Sequence, residues 1–181
     1  MFENNFEGME YLFSTPGTIG GSIYMNAGRG KSHNKAISDK LVKAKVFDAD
    51  DIFELNKEEC RFAYRYSIFH KKSEWIILEA TFELNDREFN IGEKKIKERI
   101  DYVKENQHRN YPNVGSIYKA GKSGKILKLL SYFKIGDCKF KGNWIINLGD
   151  GRAEDVLKLL KISKVLHCLV MKKPKLEVEI W

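Results

Sequence analysis

The stretch LVKAKVFDADDIFEL, residues 41–55, decides the class of fold, because apolar and polar residues alternate through its first half. A period of two places successive side chains on opposite faces and is typical of a half-buried β-strand. Asp50 and Asp51 then favour a turn, and the short apolar run IFEL follows them. The stretch therefore predicts a β-hairpin.

The rest of the chain adds strands and helices in an irregular order. Strands are predicted at residues 75–84, 143–149 and 176–181 from their β-branched, aromatic or alternating residues. Helices are predicted at residues 92–107, at residues 125–133 and from residue 150 onward. In the first of these helices, Ile96, Ile100 and Val103 recur at helical spacing. This irregular alternation predicts an α+β fold.

A change in composition along the chain predicts two domains. Residues up to about Asp86 are mostly strand-forming and loop-forming, whereas the three predicted helices follow Gly92. We therefore predict a first domain of residues 1–90 and a second domain of residues 91–181.

The composition also limits the class of partner. The chain has 181 residues, of which 43% are hydrophobic, and a net charge of +7, which predicts a globular protein that attracts anions. Many lysines alternate with apolar residues, as is typical of solvated helix faces. A phosphorylated small molecule is therefore favoured over nucleic acid as the ligand. No apolar run is long enough to predict a membrane-spanning helix.

The cysteines and histidines predict neither disulfides nor a metal site. Cys60, Cys138 and Cys168 are odd in number and widely spaced, which fits reduced thiols in the cytoplasm. The histidines lie far from one another and from the cysteines, without metal-ligand spacing. The acidic N-terminal stretch does not resemble a signal peptide. We therefore predict a cytoplasmic protein that binds no metal.

The stretch PGTIGGSIYMNAGRG, residues 16–30, is the first candidate binding element. Its glycines let the main chain come close to a ligand, and consecutive N–H groups in such a loop can bind a phosphate. The stretch is neither a dinucleotide-binding motif nor a Walker loop, so glycines that serve only a turn and a short helix or strand remain an alternative.

The stretch ECRFAYRYSIF, residues 59–69, is the second candidate, because Arg65 lies between two tyrosines. A guanidinium fixed among aromatic rings can bind a phosphate or carboxylate with two hydrogen bonds, or can donate to an enol oxygen. The alternative is a surface arginine stacked on a tyrosine ring.

Two further stretches contain acids or hydroxyls of possible catalytic use. In YPNVGSIYK, residues 111–119, Ser116 is either a turn serine or a proton donor held at a bend. In the predicted last strand, Glu177 and Glu179 share a face, where a desolvated carboxyl group could act as a general acid. Solvent-facing alternation at a chain end is the alternative.

Five stretches, taken in order, resemble one family, the UDP-N-acetylenolpyruvoylglucosamine reductases (UDP-N-acetylmuramate dehydrogenases). They are GMEYLFSTPGTIGGSIYMNAG (8–28), ECRFAYRYSIF (59–69), YPNVGSIYK (111–119), WIINLG (144–149) and LEVE (176–179). The likeness covers the family's second flavin lobe and its C-terminal domain, and its N-terminal FAD lobe is absent from the match. It implies a partial FAD-binding α/β lobe followed by an α+β substrate-binding domain.

The resemblance also implies a flavoenzyme of peptidoglycan precursor synthesis. Members of the family bind FAD, oxidise NADPH and reduce the enolpyruvyl double bond of a UDP-sugar. By motif position, Ser116 corresponds to the proton donor, and Arg65 and Glu179 to the residues that stabilise the enol. The residues matched to cofactor binding are Gly17, Thr18, Ile19, Gly20, Gly21, Asn26, Ala27 and Gly28. The residues expected to bind substrate are Tyr64, Lys119 and Asn143.

Departures from the family pattern keep two functions open. No stretch matches the family's loop for the FAD diphosphate, and Asn106, Gln107 and His108 stand where the family has a lysine before Gln-Pro. The chain is therefore expected to be a truncated reductase that uses a separately encoded FAD lobe or forms a homo-oligomer. Alternatively, it is a diverged, inactive relative that binds a nucleotide sugar or a protein partner without FAD. A basic nucleic-acid-binding module is a third and disfavoured interpretation.

Overall fold

A computed structural model of the chain describes residues 6–13, 15–29, 35–86, 89–106, 110–119, 124–171 and 173–180. The chain divides into two compact units, Met1–Glu105 and Asn106–Trp181. Each unit contains helices and antiparallel strands, which confirms the predicted α+β class. The amphipathic helix near residue 92 belongs almost entirely to the first unit. The predicted boundary between functional domains at residue 90 stays a prediction.

The first unit is built around a three-stranded antiparallel sheet. The strands of the whole unit are β1 (Phe6–Glu7), β2 (Gly28–Arg29), β3 (Lys35–Ala36), β4 (Leu41–Phe47), β5 (Ile52–Asn56), β6 (Ile76–Phe82) and β7 (Asn85–Asp86). Its helices are α1 (Ile19–Tyr24) and α2 (Phe89–Asn106). In the main sheet, β4 lies between β5 and β6. The pairs β2–β3 and β1–β7 form separate two-stranded sheets.

The predicted hairpin is confirmed as β4 and β5, with Val46 opposite Phe53. The carboxylate of Asp48 accepts hydrogen bonds from the main-chain N–H groups of Asp50 and Asp51, at 3.4 and 3.1 Å. An aspartate that binds the main chain just ahead of it favours a tight turn. The third predicted strand of this region is confirmed as β6.

The core of the first unit lies on one face of this sheet. Its buried side chains come from α1, the segment between β3 and β4, β4 itself and the segment after β5, and they are Ile23, Ile37, Leu41, Ala44, Val46, Cys60, Ile68 and Phe69. Burial of this apolar surface is the main favourable term for the unit, at about 25 cal/mol per Å². Because Ile23 belongs to α1, the core also fixes the glycine-rich segment against the sheet.

Alkaline pH should destabilise the first unit through Cys60. Burial, and to a smaller extent the charges of Glu59 and Glu58, raises the pKa of the Cys60 thiol from 9.0 to about 11. The unfolded chain therefore releases this proton at lower pH than the folded chain, and stability is lost as the pH rises from 9 to 11. By pH 10 the loss from this thiol should be about 1 kcal/mol.

Urea titrations at pH 8 and pH 10 check this effect. With Trp144 and Trp181 replaced by phenylalanine, fluorescence reports on Trp75, which packs against the core of the first unit. The Cys60→Ala variant should lose less stability between the two pH values than its parent. Cys138→Ala, which removes a buried thiol of the second unit, is the control. Equal losses in Cys60→Ala and its parent would contradict the prediction.

The second unit has a four-stranded antiparallel sheet covered by helices. Its strands are β8 (Asn113–Ser116), β9 (Lys134–Ile135), β10 (Cys138–Lys141) and β11 (Trp144–Asn147), in the order β8-β11-β10-β9, and its helices are α3 (Gly124–Leu130) and α4 (Ala153–Leu169). Helix α4 packs on β9 and β10. The buried core consists of Ile117, Tyr118, Ile126, Leu130, Cys138, Phe140, Ile145, Leu159 and Leu160.

The strand predicted at residues 176–181 is wrong as a continuous strand. Within the described residues 173–180, only Leu176 forms a β-bridge, and its partner is Tyr118. The alternation of LEVE is present, but the hydrogen bonds to a neighbouring segment reach only residues 117–119. In this segment the side chain of Glu177 is half-buried and that of Glu179 is exposed. The C-terminal Trp181 lies outside the described residues.

No helix among the described residues combines the length and apolar character needed to span a membrane. The three cysteines are free, with Cys60 and Cys138 buried and Cys168 exposed.

Candidate active site

The glycine-rich segment of the first unit ends a loop and begins α1. The hydroxyl of Thr18 accepts a hydrogen bond from the N–H of Gly21 at 3.0 Å, which is the standard cap of a helix N-terminus. Gly17 has a φ of +134°, a conformation that residues other than glycine rarely adopt, and no atom of the described residues lies within 4 Å of where its Cβ would stand. The chain is therefore open to a ligand from Gly17 into the first turn of α1, where Gly17, Thr18, Ile19 and Gly21 are exposed.

Asn26 fixes the end of this segment. Its side chain is buried, and its Nδ2 donates to the carbonyl oxygen of Ala63 at 3.0 Å. Its Oδ1 accepts from the N–H of Ser38 at 3.3 Å. Its φ of 44° lies in the left-handed region, which asparagine tolerates better than most residues. Asn26 therefore ties the glycine-rich segment to the loop that contains Arg65.

Arg65 binds the same segment directly. Its guanidinium donates to the carbonyl oxygen of Asn26 at 3.3 Å and to that of Gly28 at 2.6 Å. The group also lies over the ring of Tyr64, 5.3 Å from its centroid. The structure therefore brings together Arg65, Tyr64 and the predicted cofactor-binding residues Asn26 to Gly28, which are far apart in sequence.

Replacing Arg65 with methionine should destabilise the first unit by about 2 kcal/mol, because two hydrogen bonds from a charged group are lost and their acceptors stay partly buried. Arg61→Met is the matched control, since Arg61 is exposed and both arginines have a positive φ, 49° at Arg61 and 53° at Arg65. Urea unfolding of both variants measures the difference. A smaller loss in Arg65→Met than in Arg61→Met would contradict this role.

Sequence reasoning missed a second group of contacts between the same two segments. The buried hydroxyl of Ser67 donates to the carbonyl oxygen of Tyr24 at 2.6 Å. The ring of His70 stacks on Tyr24 at 4.2 Å and on Tyr66 at 5.0 Å between centroids. The signal available in the sequence was a serine inside the apolar and aromatic run YRYSIFH. These contacts support the loop that contains Arg65.

In the second unit, Ser116 is the last residue of β8, where it pairs with Trp144. The next residues of the chain lie beside Asn143, whose carbonyl oxygen accepts a hydrogen bond from the N–H of Ile117 at 2.8 Å. The amide of Asn143 makes two more bonds: its Oδ1 accepts from the N–H of Tyr118 at 3.0 Å, and its Nδ2 donates to the carbonyl oxygen of Tyr118 at 2.7 Å. Asn143 thus binds the main chain of the two residues that follow Ser116.

The C-terminal segment lies alongside the same residues. The N–H of Lys119 donates to the carbonyl oxygen of Lys175 at 2.9 Å, and the N–H of Glu177 donates to that of Ile117 at 2.8 Å. Main-chain hydrogen bonds therefore join the segment that contains Ser116 and Lys119 to the segment that contains Glu177 and Glu179. This pairing places the predicted proton donor and the predicted acid on adjoining segments.

A buried polar network beneath Tyr118 was also missed. The hydroxyl of Tyr118 is hydrogen-bonded to the hydroxyl of Ser163 at 2.5 Å, and Nδ1 of His167 lies 2.8 Å from the carbonyl oxygen of Ser163. Because a carbonyl oxygen can only accept, His167 donates this bond in the tautomer that carries its proton on Nδ1. Burial raises the pKa of Tyr118, and its bond to Ser163 partly offsets that effect. The spacing of four between Ser163 and His167 was a signal for a shared helix face.

The predicted site residues are divided between the two units. Arg65, Tyr64 and the glycine-rich segment belong to the first unit, and Ser116, Lys119, Asn143 and Glu179 belong to the second. Their assembly into one site stays a prediction. Within the described part of the chain, no three His, Cys, Asp or Glu side chains are grouped so that they could hold a metal ion.

Comparisons with known proteins define the class of the chain. No protein-family model matches it. It is 32% identical to UDP-N-acetylenolpyruvoylglucosamine reductase of Pseudothermotoga lettingae, with 98% of this chain and 65% of that protein aligned. It is 35% identical to the reductase of the same name from Fervidobacterium nodosum, with 99% of this chain and 60% of that protein aligned.

A solved structure agrees with these relatives. The crystal structure of UDP-N-acetylenolpyruvylglucosamine reductase (MurB) from Thermus caldophilus superimposes with a TM-score of 0.82 at 26% identity, and the match covers 99% of this chain and 66% of that one. Sequence and fold together thus define a relative of bacterial reductases. The chain is homologous to UDP-N-acetylenolpyruvoylglucosamine reductases over nearly its whole length, which confirms the resemblance of its motifs. It spans 65% and 60% of the length of the two curated relatives described above.

Proposed function

We propose that this chain forms the substrate-binding and proton-donating part of a reductase that converts UDP-N-acetylenolpyruvoylglucosamine to its reduced product. The observation that carries the proposal is the pairing of the Ser116–Lys119 segment with the C-terminal segment of Glu177 and Glu179. This pairing supplies a hydroxyl, an ammonium and carboxyl groups on adjoining segments of one unit. The relatives that bear the reductase name support the choice of reaction.

The roles of these residues follow from the chemistry of an enolpyruvyl ether. Hydride addition to its terminal carbon leaves negative charge on the neighbouring carbon and on the attached carboxylate. Arg65, as a guanidinium donor, would stabilise that charge together with Glu179. Ser116 would then give its hydroxyl proton to the carbon that bears the ether oxygen, which completes the reduction. Lys119 and Tyr64 would hold the UDP-sugar, and Asn143, the third residue expected at the substrate, would hold the segment that contains Lys119.

The residues of the glycine-rich segment fit FAD as the cofactor. Among the described residues, no atom lies within 4 Å of the position of a Cβ at Gly17, so the main chain is unobstructed there, whereas a Cβ at Gly20 would meet Ile77 at an ordinary 3.8 Å. Gly17 to Gly21 and Asn26 to Gly28 would line the cofactor. Arg65 would hold Asn26 to Gly28 in place through its hydrogen bonds to the carbonyl oxygens of Asn26 and Gly28. When bound, FAD would supply the hydride that it takes from NADPH.

The source of the remaining cofactor contacts is part of the proposal. They would come from an FAD lobe outside the matched residues, such as a separately encoded one, or from a second copy of the chain. The charge of +7 favours an anionic ligand such as the UDP-sugar in either case.

Three measurements on the purified chain test this function. We expect calorimetry to detect binding of UDP-N-acetylenolpyruvoylglucosamine, the visible spectrum after incubation with FAD and desalting to contain flavin bands, and the mixture to oxidise NADPH only with the substrate present. Substrate binding without FAD retention would support the inactive relative or the need for a separate lobe. Binding of neither ligand would overturn the proposal.

A further inference from the structure

Residues Ile117 to Lys119 are held from both sides by hydrogen bonds. On one side, Asn143 contributes its main-chain carbonyl oxygen to Ile117 and both ends of its side-chain amide to Tyr118. On the other side, Lys119 and Ile117 exchange main-chain bonds with the C-terminal segment. A side chain therefore takes the place that a neighbouring strand would have in a sheet.

Tyr118 is also fixed by its ring. The side chain is buried, with 5% exposed, and its hydroxyl binds Ser163, which is completely buried on α4. The ring of His167 lies 5.0 Å from that of Tyr118. A change in the backbone at Tyr118 would have to break this buried network or the two bonds to Asn143. Tyr118 is thus the fixed point between Ser116 and Lys119.

We propose that Asn143 is a positioning residue, which acts on the reaction through the backbone of Tyr118. Its amide sets the direction in which the chain leaves Ser116 and enters Lys119. It also sets the carbonyl oxygen of Ile117, to which the segment of Glu177 and Glu179 is bonded. The inference rests on the proposed function for the identity of the ligand, and it deepens that proposal by giving Asn143 an indirect role.

Only a side-chain amide can fill this role. Asn143 donates to a carbonyl oxygen and accepts from an N–H of the same residue, so both a donor and an acceptor are required. Aspartate keeps the acceptor but loses the donor, and places a second acceptor beside the carbonyl oxygen of Tyr118. Asn143→Asp is therefore nearly unchanged in size but should displace the backbone of Tyr118.

The chain offers a matched control in Asn147, the last residue of β11, which begins directly after Asn143. Its Nδ2 donates to the carbonyl oxygen of Gly151 at 3.0 Å, and its Oδ1 accepts from the N–H groups of Gly149 and Gly151 at 3.1 and 3.0 Å. Its side chain therefore makes the same kind of amide-to-backbone contact within its own turn, and its main-chain bond to the carbonyl oxygen of Pro112, just before β8, does not involve the substituted group. Asn147→Asp measures the general cost of this substitution.

Hydrogen exchange tests the structural part of the inference without any ligand. The amides of Lys119 and Glu177 bond to residues other than Asn143, so they report displacement across the segment. In Asn143→Asp they should exchange about tenfold faster, while amides of α4 and of the strand β10 keep their rates. Asn147→Asp should leave both reporters unchanged. Unchanged reporters in Asn143→Asp, or a uniform increase through the unit, would overturn the inference.

Ligand binding tests the functional part. Calorimetry with UDP-N-acetylenolpyruvoylglucosamine should give a Kd about tenfold weaker for Asn143→Asp and a Kd within about twofold of the parent for Asn147→Asp. Equal weakening in the two variants, or none in Asn143→Asp, would overturn the positioning role. If the parent chain itself does not bind, the proposed function fails, and the exchange measurement still decides the positioning role.

Discussion

Replacement of Ser116 with alanine should lower substrate-dependent NADPH oxidation by about 10²–10⁴-fold, the range typical of a lost proton donor. The expected effect is on turnover, because the hydroxyl is needed only after negative charge has formed on the substrate carbon. A serine hydroxyl is a weak acid, so it can act only on a very basic carbon held at a fixed position. The pairing of Ser116 with Trp144 supplies part of that fixed position.

The affinity for the UDP-sugar should stay within about threefold in the same variant, since alanine keeps the backbone bonds of β8. Ser131→Ala is the control within the second unit, because the hydroxyl of Ser131 bonds to the carbonyl oxygen of Lys128 at 2.6 Å near the end of α3. It should retain full turnover. Turnover of Ser116→Ala within threefold of the parent would show that the proton comes from another group, and the interpretation of Ser116 as a turn serine would then hold.

The parts of the fold that depend on local pattern could be predicted from the sequence. The hairpin of β4 and β5 follows from an alternation of period two and from an aspartate turn, both of which act over a few residues. Helix α2 follows in the same way from the spacing of Ile96, Ile100 and Val103. In these elements the side-chain pattern and the final burial agree, because each element needs only one apolar face.

The last strand could not be predicted in the same way, because a strand also needs an edge to pair with. The alternation of LEVE is equally good as a pattern, but Leu176 is its one bridged residue among those described. Val178 packs against the core, whereas Ile180 is exposed. The apolar residues of the segment therefore do not share one buried face, and alternation at a chain end overstates the length of a strand.

The contacts that build the candidate site depend on partners far apart in sequence. Arg65 reaches the carbonyl oxygens of Asn26 and Gly28 across 39 and 37 positions. Tyr118 reaches Ser163 across 45 positions. No periodicity encodes such pairs, so the residue types indicated a site while the bonds that hold it came only from the structure. The order of motifs compensated for this limit, since it indicated the family before any contact was known.

Replacement of Gly28 with alanine should destabilise the first unit by about 3 kcal/mol or more, because the added Cβ has no room. Gly28 pairs with Ala36 in the β2–β3 sheet. A Cβ at this position would overlap the carbonyl oxygen of Lys35 and lie 2.9 Å from the Cα of Ala36. Both obstacles are main-chain atoms, so the two strands would have to separate. Separation would also move the carbonyl oxygen to which Arg65 donates.

The matched control is Gly20→Ala within α1. A Cβ there would meet its nearest neighbour, Cβ of Ile77, at an ordinary 3.8 Å. Alanine should stabilise a helical position by about 0.5–1 kcal/mol relative to glycine, so the two variants should differ in sign. Urea unfolding monitored through Trp75 measures both. Gly28→Ala with a stability equal to the parent would mean that the β2–β3 pairing does not support the loop, and the Arg65 contact to Gly28 would then lose its structural basis.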